Sequence, residues 1–175
     1  MNHTFRVAGT TICLLFLVTC APGGKEPEPE PVTKLTPEQS EEIRQSLVTW
    51  FECEECETGQ MEAVVKHGEN AIPSLIATLR SGPAPASREF LRHQLDLRYT
   101  ELKEYERTHP AVKVAGTREE FIEMYLSNFD ARYRVRAATA LAAIGGQEAK
   151  EALRDALDKS PREDVRMVIA SALEK

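Results

Sequence analysis

The residues whose types and spacing could do chemistry are two cysteines in the segment WFECEECE, residues 50–57. Cys53 and Cys56 could form a disulfide, exchange electrons with a partner thiol, or supply two thiolates to a metal. The N-terminal run described below predicts that the protein is exported, and the two thiols should oxidise outside the cytoplasm. This favours a structural disulfide that joins the end of one helix to the next turn. The four neighbouring glutamates disfavour a reactive thiolate, so a redox-active pair is the weaker interpretation.

A metal site at Cys53 and Cys56 would need further ligands, because two thiolates are half of a zinc shell. His67, His93 and His109 are available, but none has an obvious ligand spacing. Free or intermolecular thiols are a further possibility. The sequence shows no paired nucleophile and base, so we expect neither catalysis nor a cofactor.

A third cysteine, Cys20, ends the apolar run 7–19, which follows a single cation, Arg6. The run is too short to cross a bilayer of about 30 Å as a helix, and its layout is typical of a secretory signal peptide. Residues 17–20, LVTC, resemble a bacterial lipobox, in which the chain is cut before the cysteine and the thiol is lipidated, although Thr19 departs from the usual small residue. The alternative is an exported protein with an unmodified cysteine.

Residues 21–35, APGGKEPEPEPVTKL, are too polar and proline-rich to pack into a core. Alternating Glu and Pro favour an extended chain, which predicts a spacer behind the anchor; a proline-rich recognition motif is the alternative. The expected organisation is a signal peptide at 1–19, a lipid-anchored tether at 20–35 and a helical domain at 36–175.

The remainder of the chain has helical periodicity, with capping boxes predicted at Thr36, Thr117 and Ser160. Helix ends are expected at the glycines, namely Gly59, Gly68, Gly82 and Gly145–Gly146. The predicted helices span 37–52, 59–67, 70–80, 86–107, 117–128, 131–144, 147–158 and 161–173. In the longest helix, one apolar face is predicted to contain Leu91, Leu95, Tyr99, Leu102 and Tyr105.

Two stretches of the chain repeat each other. The segment Tyr133-Arg134, followed by ATAL at 138–141, matches Val165-Arg166, followed by ASAL at 170–173. The second helix of this unit repeats as well, because Ala71, Leu75 and Leu79 have the spacing of Ala149, Leu153 and Leu157.

At these residues the chain resembles the HEAT-repeat family in its short bacterial version, clearly over 130–175 and more weakly over 59–81. Residues 86–128 depart from the pattern, since the predicted helix there is longer than a HEAT helix. The resemblance implies an all-α fold, a short α-solenoid of stacked antiparallel helix pairs, and a curved surface that binds another protein. It implies no common catalytic chemistry, although some HEAT-like proteins act on bilins.

The arginines of the C-terminal third have two interpretations: pairing with aspartates between repeats, or forming a polar rim for a partner. For a rim, the candidate contacts are Arg132, Arg136 and Arg166. The last repeat lacks its second helix, so its exposed end is another possible docking edge.

The combined prediction is a non-catalytic binding or scaffolding module, tethered to the bacterial cell envelope through Cys20. The net charge of −6 and the lack of a basic patch exclude nucleic acid as an expected partner. The expected partners are another envelope protein and the membrane beneath the lipid anchor. Ala21, after the cysteine, favours the outer membrane with the domain facing the periplasm. The alternative function is an envelope thiol or disulfide protein that uses Cys53 and Cys56.

Overall fold

The computed structural model describes residues 35–174, apart from 54, 57 and the side chain of Thr58. The predicted signal peptide, Cys20 and nearly all of the tether lie outside the described residues. Seven α-helices fill the described part of the chain: α1 (Pro37–Glu52), α2 (Thr58–Val65), α3 (Ile72–Ser81), α4 (Pro85–Thr108), α5 (Arg118–Ile144), α6 (Gln147–Lys159) and α7 (Glu163–Leu173). A 3-10 turn at Gly68–Ala71 joins α2 to α3.

The helices stack as the repeat predicts. One layer contains α2, the second half of α5 and α7, and the other contains α3 and α6; α5 packs against helices of both layers. The two matched sets of residues are almost completely enclosed: Ala71, just before α3, and Leu75 in α3 on one side, and Ala149 and Leu153 in α6 on the other. The fold is therefore the expected all-α, HEAT-like solenoid.

Two of the three capping boxes are confirmed. The Thr36 and Thr117 hydroxyls each accept a hydrogen bond from the backbone N–H three residues later, and the side chains of Gln39 and Glu120 accept from the backbone N–H of the two threonines. The box at Ser160 is wrong: α7 begins at Glu163, and Ser160 instead ends α6. Arg162 takes the N-cap position of α7, where its side chain makes no capping hydrogen bond.

Gly59 also departs from expectation, since it lies inside α2 rather than at a helix end. Gly145 behaves as predicted and ends α5 with a φ of +74°, a conformation that other residues adopt only with strain.

The helices predicted at 117–128 and 131–144 are one continuous helix, α5, which is the main correction to the sequence-based plan. The predicted break at 129–130 does not occur, because the segment contains neither Gly nor Pro and α5 has a single N-cap, Thr117. Asp130 is accommodated because its carboxylate accepts a hydrogen bond from Arg88 of α4 at 3.3 Å.

The described domain has two regions with separate cores, and the continuous helix α5 contributes to both. The repeat region contains α1, α2, α3, residues 131–144 of α5, α6 and α7, and its core includes twenty-two buried side chains. The side hairpin contains α4 and residues 118–128 of α5, and its small core is formed by Leu95, Ile122 and Leu126.

The predicted apolar face of the long helix is confirmed only at its middle. Leu95 and Tyr99 are buried, Leu91 and Leu102 are half-buried, and Tyr105 is half exposed and stacks on His109. Over the described helices, none is both long and apolar enough to cross a membrane.

Candidate functional site

A groove of about 920 Å³ lies where the side hairpin meets the repeat region. We call it the aromatic groove; its walls are formed by Glu52 of α1, the first turns of α4 and one side of α5. The lining residues are Glu52, Ala86, Ser87, Phe90, Leu91, Tyr125, Asn128, Phe129 and Arg132. The continuous α5 creates this groove, since it holds α4 beside the end of α1.

Two aromatic side chains of the groove face solvent. Phe90 is 67 % exposed and Tyr125 is 45 % exposed, which is unusual for rings of this size. Both lie beside half-buried apolar residues, Leu91 and Phe129. The arrangement can bury apolar side chains of a partner, because aromatic residues with apolar neighbours are the residues that dominate protein interfaces.

An aromatic chain connects the groove to the core. Phe129 packs edge-on against Tyr133, with ring centroids 4.9 Å apart, and Tyr133 stacks on Phe51 of α1 at 5.0 Å. The Tyr133 hydroxyl donates to the Glu52 carboxylate. Burial, followed by this hydrogen bond, raises the pKa of the Tyr133 phenol, which stays protonated.

Arg132 supplies the positive charge of the groove. Its guanidinium lies over the Phe129 ring, with Cζ 5.2 Å from the centroid. Its Nε is buried and has no acceptor among the described residues, and no carboxylate of the described chain forms an ion pair with it. Arg132 is therefore the predicted contact residue that the structure leaves free to bind a partner.

Arg136 has an intramolecular role. Its Nη1 donates to the carbonyls of Trp50 and Phe51, both at 2.8 Å, and its guanidinium lies over the Trp50 ring. The last turn of α1 has no cation of its own, so Arg136 caps it from another helix. Burial lowers the pKa of Arg136, in the direction expected for a cation enclosed by protein.

Arg166 is likewise bonded within the domain. It donates to the Ser160 carbonyl at 3.0 Å and pairs with Glu163. Arg162 pairs with Asp164 two residues later rather than across repeats. An Arg–Asp pair does join α3 to α6, at 3.7 Å, but it is formed by Arg80, which was not among the predicted arginines.

Cys53 and Cys56 form a disulfide in the structure, with Cα atoms 5.4 Å apart. Both cysteines are half-buried and pack against the core of the repeat region. Cys53 is the C-cap of α1, the negative end of the helix dipole, which disfavours a thiolate. The geometry therefore favours a structural disulfide over a redox-active one.

The histidines are separated. His67 lies 3.0 Å from the Ser46 hydroxyl, His109 stacks on Tyr105, and His93 faces solvent on α4. Within the described ranges, no three side chains of the metal-ligating types converge on a common point.

Sequence reasoning missed the aromatic groove. Phe90 was visible as an aromatic residue next to the apolar face of a charged helix, but its neighbour across the groove, Tyr125, is 35 positions away. The Arg136 cap is formed across 86 positions and has no local signal.

A family model described as HEAT repeats matches residues 110–175, which is less than half of the chain. The match begins at residue 110 rather than at 130, so it includes the first half of α5. No curated protein and no solved structure shows significant similarity to the chain.

Proposed function

We propose that this chain is a non-catalytic protein-binding module, held at the bacterial cell envelope by a lipid on Cys20, and that the aromatic groove is its binding surface. HEAT repeats generally serve protein–protein interaction, which supports the module. The observation that carries the proposal is the position of exposed Phe90 and Tyr125 beside the guanidinium of Arg132, which has no ion-pair partner among the described residues.

The chemistry of the groove specifies its partner. Phe90, Leu91 and Tyr125 would bury apolar side chains, and Arg132 would pair with a carboxylate that lies next to them. Glu52 is already engaged by the Tyr133 hydroxyl. The expected occupant is therefore a segment of another envelope protein that presents apolar residues beside an acidic one.

A photo-crosslinking residue at position 90 in intact cells tests the binding surface. We expect one defined protein to be captured there, and its purified form to bind the unmodified chain. Arg132→Glu should weaken that binding by tenfold or more, since it places like charges together.

Met167 provides the matched control. It is 64 % exposed, close to the value for Phe90, but lies on α7 outside the groove. Phe90→Ala should weaken binding, whereas Met167→Ala should not. Equal capture by probes at positions 90 and 167, or full binding by Phe90→Ala, would contradict the proposal.

The envelope anchor is tested separately by metabolic labelling with an alkyne palmitate. Labelled protein is expected from the natural chain and no label from Cys20→Ala. Fractionation of the membranes would then test the outer-membrane assignment. Label on the Cys20→Ala variant would contradict lipidation at Cys20, but it would not bear on binding at the aromatic groove.

A further inference from the structure

A second cavity, of about 600 Å³, opens among α3, α5, α6 and α7, and we call it the basic pocket. Its apolar floor contains Leu79, Ala156, Val165 and Ile169, all buried in the core of the repeat region. Polar side chains complete its walls: Arg80, Arg134, Asp155, Lys159 and Ser160. The basic pocket shares no lining residue with the aromatic groove.

The charge of the basic pocket is opposite to that of the chain. Three cations, Arg80, Arg134 and Lys159, face one carboxylate, Asp155, in a protein with a net charge of −6. Asp155 is engaged mainly by Lys159, at 2.5 Å, and more loosely by Arg80, at 3.7 Å.

Arg134 differs from the other two cations of the basic pocket, which both contact Asp155. The carboxylate nearest to it in the sequence, Asp130 one turn earlier on α5, is bonded to Arg88. Arg134 forms no ion pair with a carboxylate of the described residues. Its guanidinium lies near the backbone of Gly82, at the C-terminal end of α3. The fork of donors on an arginine matches the oxygens of a phosphate or sulfate, to which it binds bidentately.

Ser160 is the second observation that points to a ligand. The residue is only 7 % exposed, lines the pocket, and its Oγ has no hydrogen-bond partner in the described structure. Its backbone is already satisfied, because the N–H donates to Ala156 and the carbonyl accepts from Arg166. A buried hydroxyl without a partner is costly, so an acceptor that enters the pocket, either ordered water or a ligand oxygen, would be stabilised beside it.

We propose that the basic pocket binds a phosphate-type oxyanion group attached to a compact apolar part. Arg134 and Arg80 provide charge-assisted donors for the oxygens, the Ser160 hydroxyl donates from the buried side, and the apolar floor contacts the rest of the molecule. The cavity volume is within the range of small-molecule sites and exceeds the need of inorganic phosphate alone. The site is independent of the proposed function at the aromatic groove.

The test is titration of the full chain with inorganic phosphate and with phenyl phosphate at constant ionic strength, followed by NMR or by thermal shift. Phenyl phosphate should bind more tightly than phosphate, and both more tightly than chloride. Arg134→Gln should weaken binding by about tenfold and Ser160→Ala by several-fold. Arg98→Gln, which removes an exposed arginine of α4, should have no effect.

The binding test remains decisive even if one of the variants fails to fold. The Ser160→Ala variant keeps its stability if the hydroxyl has no structural partner, so its loss of binding reports on the ligand. If Arg134→Gln fails to fold, Arg80→Gln replaces it with the same expectation. Phosphate binding no stronger than chloride, natural affinity in the Ser160→Ala variant, or equal losses with Arg98→Gln would overturn the proposal.

Vesicles of phosphatidylcholine, with and without phosphatidic acid, identify the source of the group. Phenyl phosphate binding without vesicle binding assigns the site to a soluble molecule. Binding to the phosphatidic acid vesicles that Arg134→Gln abolishes assigns it to a lipid headgroup; either outcome supports an oxyanion site. Vesicle binding that persists in Arg134→Gln, together with no response to phenyl phosphate, would overturn it.

Discussion

Alanines line the buried side of α5 in the repeat region, whereas charged residues surround the few apolar contacts of the side hairpin. Ala137, Ala138 and Ala140 are fully enclosed, which lets neighbouring helices approach α5 closely. In the side hairpin, α4 is joined to α5 by pairs of partly exposed charges, such as Arg118 with Asp96 at 2.6 Å and Arg92 with Glu123.

This difference has an energetic consequence. A buried leucine contributes about 1.5–3 kcal/mol, while an exposed ion pair contributes about 0.2–1 kcal/mol and weakens in salt. The side hairpin should therefore open at a lower free energy than the repeat region, which should unfold only in the global transition. The aromatic groove lies on the boundary, so a partner bound there would stabilise the weaker region.

The largest expected effect compares two leucines that are both 0 % exposed, Leu141 in the repeat region and Leu126 in the side hairpin. Leu141→Ala should lower the free energy of global unfolding by about 2–5 kcal/mol. Leu126→Ala should mainly release α4, with a global loss of less than about half of that. Denaturant unfolding and hydrogen exchange measure the two quantities; equal global losses with unchanged exchange in α4 would refute the division into regions.

The second prediction tests whether α5 really connects the two regions. Ala131→Pro should destabilise the protein by about 3 kcal/mol or more, because proline removes a helical hydrogen bond and clashes with the preceding turn. A separate helix beginning at 131 would instead accept proline at its first position. Ala131→Gly is the control and should cost about 1 kcal/mol. Melting curves that place the Pro variant at or above the Gly variant would indicate two helices.

The third prediction concerns the disulfide of the repeat region. Cys53→Ser should lower stability by about 2 kcal/mol, because the closed loop is very short and constrains the unfolded chain little. Hydrogen exchange in α4 should not change, since both cysteines pack against the core of the repeat region. Binding at the aromatic groove should persist. Unchanged melting together with lost binding would favour the thiol function instead.

Local signals predicted most of the repeat region and little of the groove. Thr36, Thr117 and Gly145 mark helix ends through contacts within one turn, and the matched Ala and Leu positions predicted the stacking. The split of α5 was wrong, and the contacts that accommodate its polar residues are not local: Asp130 accepts from Arg88 of α4 and Asn128 accepts from Arg162.

The aromatic groove could not be predicted from local sequence signals, because it depends on contacts between distant segments. Whether Arg132, Arg136 or Arg166 can bind a partner depends on the acceptors that face each of them. For Arg136 these are carbonyls of α1, 85 and 86 positions away, whereas Arg166 pairs within its own helix with Glu163. Ser160 is a similar case: its sequence context is that of a helix cap, but its hydroxyl is buried and has no hydrogen-bond partner in the described part of the chain.

The smallest effect concerns Tyr133, which joins the groove to α1. Tyr133→Phe should cost about 1 kcal/mol at neutral pH, since it removes one hydrogen bond to Glu52. The raised pKa of the folded phenol stabilises the protein below the ordinary tyrosine value of about 10. Above that value the unfolded chain releases the proton while the folded chain keeps it, so stability falls as pH rises.

Unfolding of the natural chain and of Tyr133→Phe between about pH 8 and pH 11 measures this contribution. The advantage of the natural chain over the variant should shrink as pH rises above 10. Tyr125→Phe, at an exposed position of the same groove, controls for the loss of a phenol and should leave stability unchanged. A constant difference across the range would mean that the proton on Tyr133 is held no more tightly in the folded chain than in the unfolded one.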